Sequence, residues 1–406
     1  MSRLGPFEPS PALAVAVSGG ADSLALALLA REWTVARGGT VLALLVDHGL
    51  RAESAAEVAL TRVRLAGQGI PSRVLALDGL MHGPGLAARA RAARHAALAA
   101  ACAAAGIVHL LLGHHAADQA ETLRMRARAG SGPLGLAAMA ALVEGKHVRL
   151  LRPLLAVPPG RLQALLRARR LGWVEDPSNQ DPATLRARLR AELADPEGDG
   201  AEVAELVAEA RHHGAARAAA EVQVATELAL RVRLHPAGWA VISAGKLSPS
   251  ALSALLRTVA GRVYPAPRAA VSVLAEHPRA ATLAGVRMLA AGQAGGHGDW
   301  LVVREAAAMA PPVAARPGAI WDGRFRLGGT PPAESTLGPL GRDAAGLRRL
   351  RPNWPAAVLA TLPALRCDGR LVAVPALQYP DAASCARMSL AFTPALPLSG
   401  APFLEM

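Results

Sequence analysis

Aromatic residues, cysteines and lysines are all scarce in this sequence of 406 residues. Aromatics make up 3% of the chain, there are three cysteines, and only Lys146 and Lys246 among the 44 basic residues are lysines. No C-x-x-C pair occurs, which excludes a zinc ribbon, an iron–sulfur site or a dithiol of that type. Unpaired cysteines, no apolar signal core and no uncharged run long enough to span a bilayer predict a cytoplasmic protein that does not enter a membrane.

Arginine therefore carries nearly all of the positive charge, and its distribution is uneven. Residues 81–190 contain fifteen arginines and one lysine against six acids, which is +10 of the formal net charge of +13. A concentrated basic segment predicts a polyanionic partner such as nucleic acid. The alternative is a coding bias that enriches both alanine and arginine and leaves solvated basic helix faces.

Short apolar runs alternate with helical stretches in the first third of the chain. This order predicts an α/β fold with a doubly wound parallel sheet, whose ligands bind beyond the carboxyl ends of the strands. Linker-like segments at 195–200 and 308–318 divide the remainder. We expect a catalytic domain, a mainly helical middle domain and a small α+β C-terminal domain, at residues 1–195, 201–307 and 319–406. The predicted strands are 13–17, 41–46, 72–77 and 108–113, and the predicted helices between them are 22–33, 53–67 and 86–105.

The segment SGGADS, residues 18–23, follows the first predicted strand and opens the first helix. Its backbone offers N–H donors at Gly19, Gly20 and Ala21, and Ser18 and Ser23 add hydroxyls. A helix N-terminus with such donors suits a pyrophosphate, and the Asp22 carboxylate suits a Mg²⁺ ion that bridges phosphate oxygens. The alternative is an ordinary strand–helix turn in which Asp22 and Ser23 cap the helix.

A second polar segment, GHHAADQAET at residues 113–122, follows the fourth predicted strand. Its His115, Asp118 and Glu121 are spaced three apart, so neighbouring members share a helix face. Such a set suits a cationic substrate or a metal, whereas an N-cap role for Asp118 is the structural alternative. VDHGLR, residues 46–51, ends the second strand and is either part of the same cleft or a simple turn.

Several arginines and one glycine-rich loop are further candidates. AGSGPLGL, residues 129–136, follows a helix that carries Arg124, Arg126 and Arg128, and it is either a closing loop or a helix cap. Guanidinium groups bind phosphate bidentately, although a solvated helix face is the default for any one arginine. The other candidates for phosphate contacts are Arg152, Arg186, Arg188 and Arg190.

In this order SGGADS, VDHGLR, RAARH (91–95), GHHAADQAET, GSGPLGL, RPLL and WVEDPSN resemble the tRNA(Ile)-lysidine synthetase family, within the N-type ATP pyrophosphatases. The resemblance is strong over about residues 12–195 and weaker at 281–288, 302–305 and 362–377. It implies an enzyme, a ligase that forms a C–N bond, with ATP, Mg²⁺, L-lysine and the CAU-anticodon isoleucine tRNA as its ligands. ATP would adenylate the wobble cytidine, and the lysine amine would then expel AMP.

The resemblance also implies roles for individual residues. Asp22, Asp118 and Arg94 would be catalytic, and Asp22 would hold Mg²⁺. ATP would lie on Ser18, Gly19, Gly20, Ala21, Asp22 and Ser23. Lysine would contact His115, Asp118, Glu121, Ser131 and Arg152, and tRNA would contact Arg124, Arg128, Arg186, Arg188 and Arg190.

This chain departs from the family pattern at four positions. Ala117 replaces the first of two adjacent aspartates, and His95, Ala129 and Ala187 stand where the family has tyrosine, arginine and asparagine. The alternatives are a tRNA cytidine thiolase, which would need paired cysteines, an NAD or GMP synthetase, and a non-catalytic RNA-binding protein. The intact SGGADS motif argues against the last. The sequence does not define an oligomeric state.

Overall fold

The computed structural model describes residues 1–47, 54–77, 83, 85–145, 147–175 and 184–405. The chain divides into two compact units, Met1–Ala220 with Ala401–Met406, and Glu221–Gly400. Within the described residues, no helix has the length and apolar character needed to cross a membrane. The predicted division into three domains stays a prediction.

The first unit is built on a six-stranded sheet of order β3-β2-β1-β4-β6-β5. Neighbours from β3 to β6 run parallel, and only β5 is antiparallel to its partner β6. The strands are β1 Ala12–Val17, β2 Thr40–Asp47, β3 Ser72–Ala76, β4 His109–Leu111, β5 Leu142–Glu144 and β6 Arg149–Leu151.

Helices cover both faces of this sheet, as the apolar strands require. Along β1, Leu13 and Val15 pack with α1 and α6 in one cluster, whereas Ala14 and Ala16 pack with Leu98 of α3 in another. Alternate side chains of a strand point to opposite faces, so β1 is buried on both sides. The helices are α1 Ala21–Val35, α2 Ser54–Gly67, α3 Leu86–Ala104, α4 Ala116–Arg128, α5 Pro133–Leu136, α6 Pro159–Ala168, α7 Leu185–Leu193 and α8 Ala201–Arg231.

The predicted α/β fold class is confirmed, and the four predicted strands and three crossover helices are present. The predicted strand 108–113 is shorter, His109–Leu111, because Gly113 already packs against the start of α1. The β5–β6 hairpin was not predicted, since strands of three residues carry too little alternation to detect. Helix α8 ends at Arg231, and the chain continues directly into a strand.

The second unit begins with a five-stranded antiparallel sheet of order β7-β8-β11-β10-β9. The sequence predicts a mainly helical middle segment, and the structure has this sheet in addition to the helices. Its side chains alternate, so Ala240 and Ile242 pack under α9 and α10 while Trp239 and Val241 face the opposite cluster. The elements are β7 Val232–His235, β8 Trp239–Ile242, α9 Pro249–Ala260, α10 Arg268–Glu276, β9 Ala281–Leu283, β10 Val286–Ala290 and β11 Trp300–Arg304.

Two smaller antiparallel sheets complete the unit, with orders β12-β15-β16-β17 and β13-β14-β18. The first strand of these sheets lies inside the segment expected to be a linker, 308–318. The elements are β12 Val313–Ala314, β13 Ile320–Trp321, β14 Phe325–Gly329, β15 Thr336–Pro339, α11 Ala344–Leu347, α12 Ala356–Ala360, β16 Pro363–Cys367, β17 Arg370–Ala373, α13 Ala382–Ala386 and β18 Met388–Phe392.

Candidate active site

The loop from β1 to α1 has a backbone that only glycine adopts comfortably. Gly19 has φ +91°, and a Cβ at this position would lie 2.6 Å from Oγ1 of Thr61. Its carbonyl accepts a hydrogen bond of 2.9 Å from the backbone N–H of Val174. The loop therefore needs glycine both for its left-handed conformation and for the close approach of α2.

Serine side chains close this loop and leave the helix end open. The Ser18 backbone N–H donates to Oγ of Ser23 at 3.1 Å, and the Ser23 hydroxyl donates to the carbonyl of Gly20 at 3.0 Å. Gly20 is the N-cap of α1, and no side chain caps the helix, so the alternative of an Asp22–Ser23 cap is not observed. The first N–H groups of a helix lack intrahelical partners, so these are available to an anion.

The loop after β4 packs against the same helix end. A Cβ on Gly113 would lie 3.2 Å from the backbone of Asp22 and Ser23. This close contact brings GHHAADQAET next to SGGADS, as the parallel sheet predicts.

Helix α4 begins with a reciprocal capping box. The His115 N–H donates to Oδ2 of Asp118 at 3.0 Å, and the Asp118 N–H donates to Nδ1 of His115 at 3.4 Å. Because Nδ1 accepts, the ring proton of neutral His115 belongs on Nε2. That atom lies 3.6 Å from Oδ2 of Asp22 and 3.6 Å from Oδ2 of Asp118. The N-cap is therefore His115 and not Asp118, which takes part in the capping box from the third helical position, and His115 lies between the Asp22 and Asp118 carboxylates.

The two carboxylates differ in acidity. Burial raises the pKa of Asp22, and the Asp118 carboxylate raises it further against the opposing effect of His115. Burial also acts to raise the pKa of Asp118, but His115, His114 and the hydrogen bond from the His115 N–H outweigh it and lower that pKa. Asp118 is therefore the more acidic of the two carboxylates.

Two arginines, Arg152 and Arg94, belong to the surroundings of this site. Nε of Arg152 donates to Nδ1 of His114 at 3.3 Å, and its Nη1 donates to the carbonyl of Ala140 at 2.8 Å. Burial lowers the pKa of His114 to about 4, so this histidine is neutral at physiological pH. Burial and Arg91 lower the pKa of Arg94, and no carboxylate of the described residues pairs with it. A half-buried cation with no counter-ion among the described residues favours an anionic ligand.

Glu121 and Arg190 form an ion pair between α4 and α7. Glu121 is fully buried, and both Nε and Nη2 of Arg190 reach its Oε1, at 2.9 and 2.8 Å. Burial raises the pKa of Glu121, although Arg190 opposes the shift. The carboxylate is thus engaged by an arginine of this chain, which the prediction of a lysine contact did not include.

A cavity of about 1030 Å³ lies at the carboxyl ends of β1 and β4. It is large enough for a nucleotide and a second ligand. The predicted site residues that line it are Ser18, Gly20, Asp22, Ser23, Arg94, His115, Asp118, Arg186 and Arg190. The predicted residues that do not line it are Gly19, Ala21, Glu121, Ser131, Arg152, Arg124, Arg128 and Arg188.

Arginines of α4 are already paired within the first unit. Arg124 forms an ion pair with Glu202, and Arg128 forms one with Glu192. Arg126 donates to the carbonyls of Gly135 at 2.7 Å and Ala138 at 2.6 Å, which fixes the loop that contains Ser131. Surface pairs of this kind leave Arg124 and Arg128 partly exposed, so the predicted tRNA contacts stay predictions.

Sequence reasoning missed several residues of the cavity. Gln163 of α6 and Asp195 line it, and Thr61 and Val174 pack over Gly19. Val174 belongs to the WVEDPSN motif, but no motif marked Thr61, Gln163 or Asp195, because their chain neighbours are ordinary helix or linker residues. Two predicted segments, 48–51 of VDHGLR and 176–179 of WVEDPSN, lie outside the described residues.

The described residues contain no group of three or more His, Cys, Asp or Glu side chains arranged to hold a metal ion. Asp22 and Asp118 nevertheless both face the cavity. Mg²⁺ is commonly held by one or two carboxylates together with substrate phosphates, so this pair fits such an ion. The predicted Mg²⁺ ligand Asp22 stays a prediction.

Comparisons with known proteins identify the family. A family model of the PP-loop domain matches residues 3–197. The tRNA(Ile)-lysidine synthase of Bradyrhizobium diazoefficiens is 44% identical over 230 residues, which cover 55% of this chain and 62% of that protein, less than two thirds of its length. The tRNA(Ile)-lysidine synthase of Ruegeria pomeroyi is 36% identical over 391 residues, which cover 91% of this chain and 89% of that protein.

Among solved structures, the U34-tRNA thiolase NcsA from Methanococcus maripaludis matches 52% of this chain and 76% of that chain, with a sequence identity of 17% and a TM-score of 0.42. Because the match to the Ruegeria protein covers 91% of this chain, it extends into both compact units. The chain belongs to the tRNA(Ile)-lysidine synthase family.

Proposed function

We propose that this protein is a ligase that forms lysidine at the wobble cytidine of the CAU-anticodon isoleucine tRNA. The observation that carries the proposal is one cavity with three parts. These are the helix end after SGGADS, which no side chain caps, a pair of carboxylates, and the arginines Arg94, Arg186 and Arg190. The helix end and the arginines suit the phosphates of ATP and the adenylate, and the carboxylates suit Mg²⁺ and the lysine side chain. Family membership supports the assignment.

In the first step O2 of the cytosine attacks the α-phosphorus of ATP, so the adenylyl group is transferred to O2 and pyrophosphate leaves. The N–H groups at the start of α1 and the Ser18 hydroxyl would bind the departing phosphates and stabilise their developing charge. Asp22 would hold Mg²⁺, which would supply charge neutralisation at the phosphate oxygens. Arg94, a cation without an acidic partner among the described residues, would contact an anionic group of the adenylate.

In the second step the ε-amine of lysine attacks C2 of the base, and AMP leaves. The lowered pKa of Asp118 suits it to hold the ammonium form of that side chain, and His115 orients Asp118. A carboxylate of low pKa is a weak proton acceptor. We therefore assign Asp118 to binding, and its additional role in removing the proton is a separate prediction.

The tRNA would be held by arginines outside the phosphate loop. Arg188 is exposed on α7, and Arg124 and Arg128 are partly exposed on α4. Contacts to backbone phosphates make affinity fall as salt rises. The anticodon base must also leave its stack to reach the cavity.

Incorporation of radiolabelled lysine into transcripts tests this proposal. With ATP and Mg²⁺, we expect label in the CAU isoleucine transcript and none in a methionine transcript. Asp22→Asn should lose at least ~100-fold of the rate, because the carboxylate beside the phosphates is removed. Glu32→Gln, which alters a surface acid paired with Arg169, is the matched control and should retain the wild-type rate.

Other outcomes would redirect the assignment. AMP release that depends on another RNA, without lysine transfer, would retain adenylation and refute lysidine formation. RNA binding without any ATP-dependent AMP release would identify a non-catalytic member of the family.

A further inference from the structure

The buried carboxylate of Glu121 needs an explanation beyond lysine binding. Glu121 is fully buried in α4, and its Oε2 has no hydrogen-bond partner among the described residues. A buried carboxylate is costly unless a cation compensates it, and its partner is Arg190 of α7. Glu121 does not line the cavity, whereas Arg190 does. Arg190 is therefore the member of this ion pair that reaches the cavity, and Glu121 contacts it from the protein interior.

The contacts fix one edge of the guanidinium and leave the other available. Nε of Arg190 donates to Oε1 of Glu121 at 2.9 Å, and Nη2 lies 2.8 Å from the same oxygen. Among the described residues, no acceptor binds Nη1, and 43% of the side chain is exposed. Arg190 also acts on Asp22, whose pKa it lowers against the effect of burial. A guanidinium held in this way presents preorganised donors beside the phosphate loop.

The packing of α7 places its three arginines in different surroundings. Leu189 and Leu193 are buried and anchor the helix, and Oγ1 of Thr184 caps its first turn by accepting from the Ala187 N–H at 3.2 Å. Arg186 and Arg190, four residues apart, share a face and both line the cavity. Arg188 is exposed and does not line it, so the three predicted tRNA contacts are not equivalent.

We propose that Arg190 binds the phosphates of ATP opposite SGGADS and stabilises the leaving pyrophosphate, and that Glu121 is the residue that positions it. This inference rests on the proposed function for the reaction that it serves, but ATP binding tests it independently. It assigns Arg190 to the nucleotide and leaves Arg188 as a tRNA contact. Glu121 is a positioning residue and does not touch the substrate.

The first experiment measures binding of ATP with Mg²⁺ by calorimetry, and separately tRNA binding across a salt series. Arg190→Ala should weaken ATP binding roughly tenfold or more and slow pyrophosphate release, because a phosphate contact is lost. The tRNA affinity and the slope of its logarithm against the logarithm of salt concentration should be unchanged. Arg190→Lys should recover part of the ATP affinity, since the charge remains but the fork is lost.

A double-mutant cycle tests the positioning role. Glu121→Gln keeps an oxygen acceptor but removes the charge, so it should shift ATP binding in the same direction as Arg190→Ala and by less. The double variant should bind ATP no more weakly than Arg190→Ala alone, because the two changes remove the same interaction. Arg169→Ala and Glu32→Gln, from an arginine–glutamate pair that does not line the cavity, should leave ATP binding unchanged.

Two results would overturn the inference. One is normal ATP binding by Arg190→Ala together with weaker tRNA binding and a salt slope reduced by about one, which would make Arg190 a backbone contact. The other is an additive double variant, which would show that Glu121 acts independently of Arg190. Failure of lysine transfer by the wild-type protein would refute the proposed function and leave the ATP-binding result to decide this inference.

Discussion

In the phosphate loop, the backbone conformation determines which residue type a position accepts. Gly19→Ala places a Cβ 2.6 Å from Oγ1 of Thr61 at a φ of +91°. We expect a loss of about 1–3 kcal/mol of stability and a slower release of pyrophosphate, because the loop must move away from α2. Thermal unfolding and a pyrophosphate assay measure both effects.

Gly67→Ala is the control, because a Cβ on Gly67, at the end of α2, would have no atom within 4 Å and the backbone there has no positive φ. It should unfold as the wild type does. Wild-type stability and rate in Gly19→Ala would contradict the geometric requirement.

The histidine beside Arg152 links stability to pH. The pKa of His114 falls from 6.5 to about 4, chiefly through burial, with Arg152 and Arg186 adding to the effect while Asp118 opposes it. Between these pH values the unfolded chain binds more protons than the folded one, so stability falls as the pH decreases from 6.5 to 4. We expect this loss to be on the order of 2–3 kcal/mol.

Denaturant unfolding of the wild type and His114→Gln over about pH 4–7 measures the effect. The variant should show a shallower dependence on pH in that window, because glutamine does not titrate. Equal slopes would mean that His114 does not carry this proton linkage.

At the scale of elements, one buried carboxylate joins segments of the second unit. Oδ2 of Asp322, after β13, accepts from Nε of Arg304 at 3.0 Å and from Nε of Arg324 at 2.8 Å. Its Oδ1 accepts from Nη2 of Arg304 at 3.0 Å and from the Ala310 N–H at 2.9 Å. Arg324 continues to the carbonyl of Gly238, between β7 and β8, at 3.3 Å. Two sheets of this unit and the segment before β12 thus meet at one ion cluster.

Asp322→Ala should lower the stability of the second unit by about 3–5 kcal/mol, because two buried guanidinium groups lose their counter-ion. Asp343→Ala removes a carboxylate that is 42% exposed and paired with Arg366, and should cost at most about 1 kcal/mol. Chemical denaturation of both variants gives the comparison. Similar losses of stability in the two variants would show that burial does not determine how much an ion pair contributes to the stability of this unit.

At the scale of the whole molecule, the last residues of the chain belong to the first unit. The Ala141 N–H donates to the carbonyl of Leu404 at 2.7 Å, and Phe403 is 7% exposed beside Gly214 of α8. The guanidinium of Arg217 lies 4.8 Å from the Phe403 ring centroid. The chain therefore returns to its N-terminal unit after completing the second.

Phe403→Ala should destabilise the first unit by about 3 kcal/mol, through lost burial and the cavity left behind. Hydrogen exchange should accelerate around Ala141 and along the first half of α8, where the ring packs. Tyr264→Ala, which removes an aromatic side chain that is 81% exposed, should change stability by less than about 0.5 kcal/mol. Unchanged exchange in Phe403→Ala would show that the terminal segment is dispensable.

Some elements and contacts could be predicted from the sequence, and others could not. Strand β1 and helix α1 were predictable because an apolar run, a glycine turn and a helix follow one another within residues 12–35. A capping contact of Asp118 was predictable because it depends on residues three apart, although His115 rather than Asp118 is the N-cap. The pairing of Glu121 with Arg190 was not, because these residues are 69 positions apart and each also fits a solvated helix face. The five-stranded sheet was missed since its short strands follow a long alanine-rich helix.

The sequence by itself determined the α/β order of the first unit, the phosphate loop and the family, because these depend on local periodicity and contiguous motifs. Only the tertiary structure decided which charged residues share the cavity. Ion pairs between α4, α7 and α8 involve partners that no spacing rule relates. The contact with Glu121 and the position at the cavity, rather than residue type, separate Arg190 from Arg188. The docking of Phe403 on the first unit is likewise a long-range packing contact, whose free energy exists only once both segments are folded.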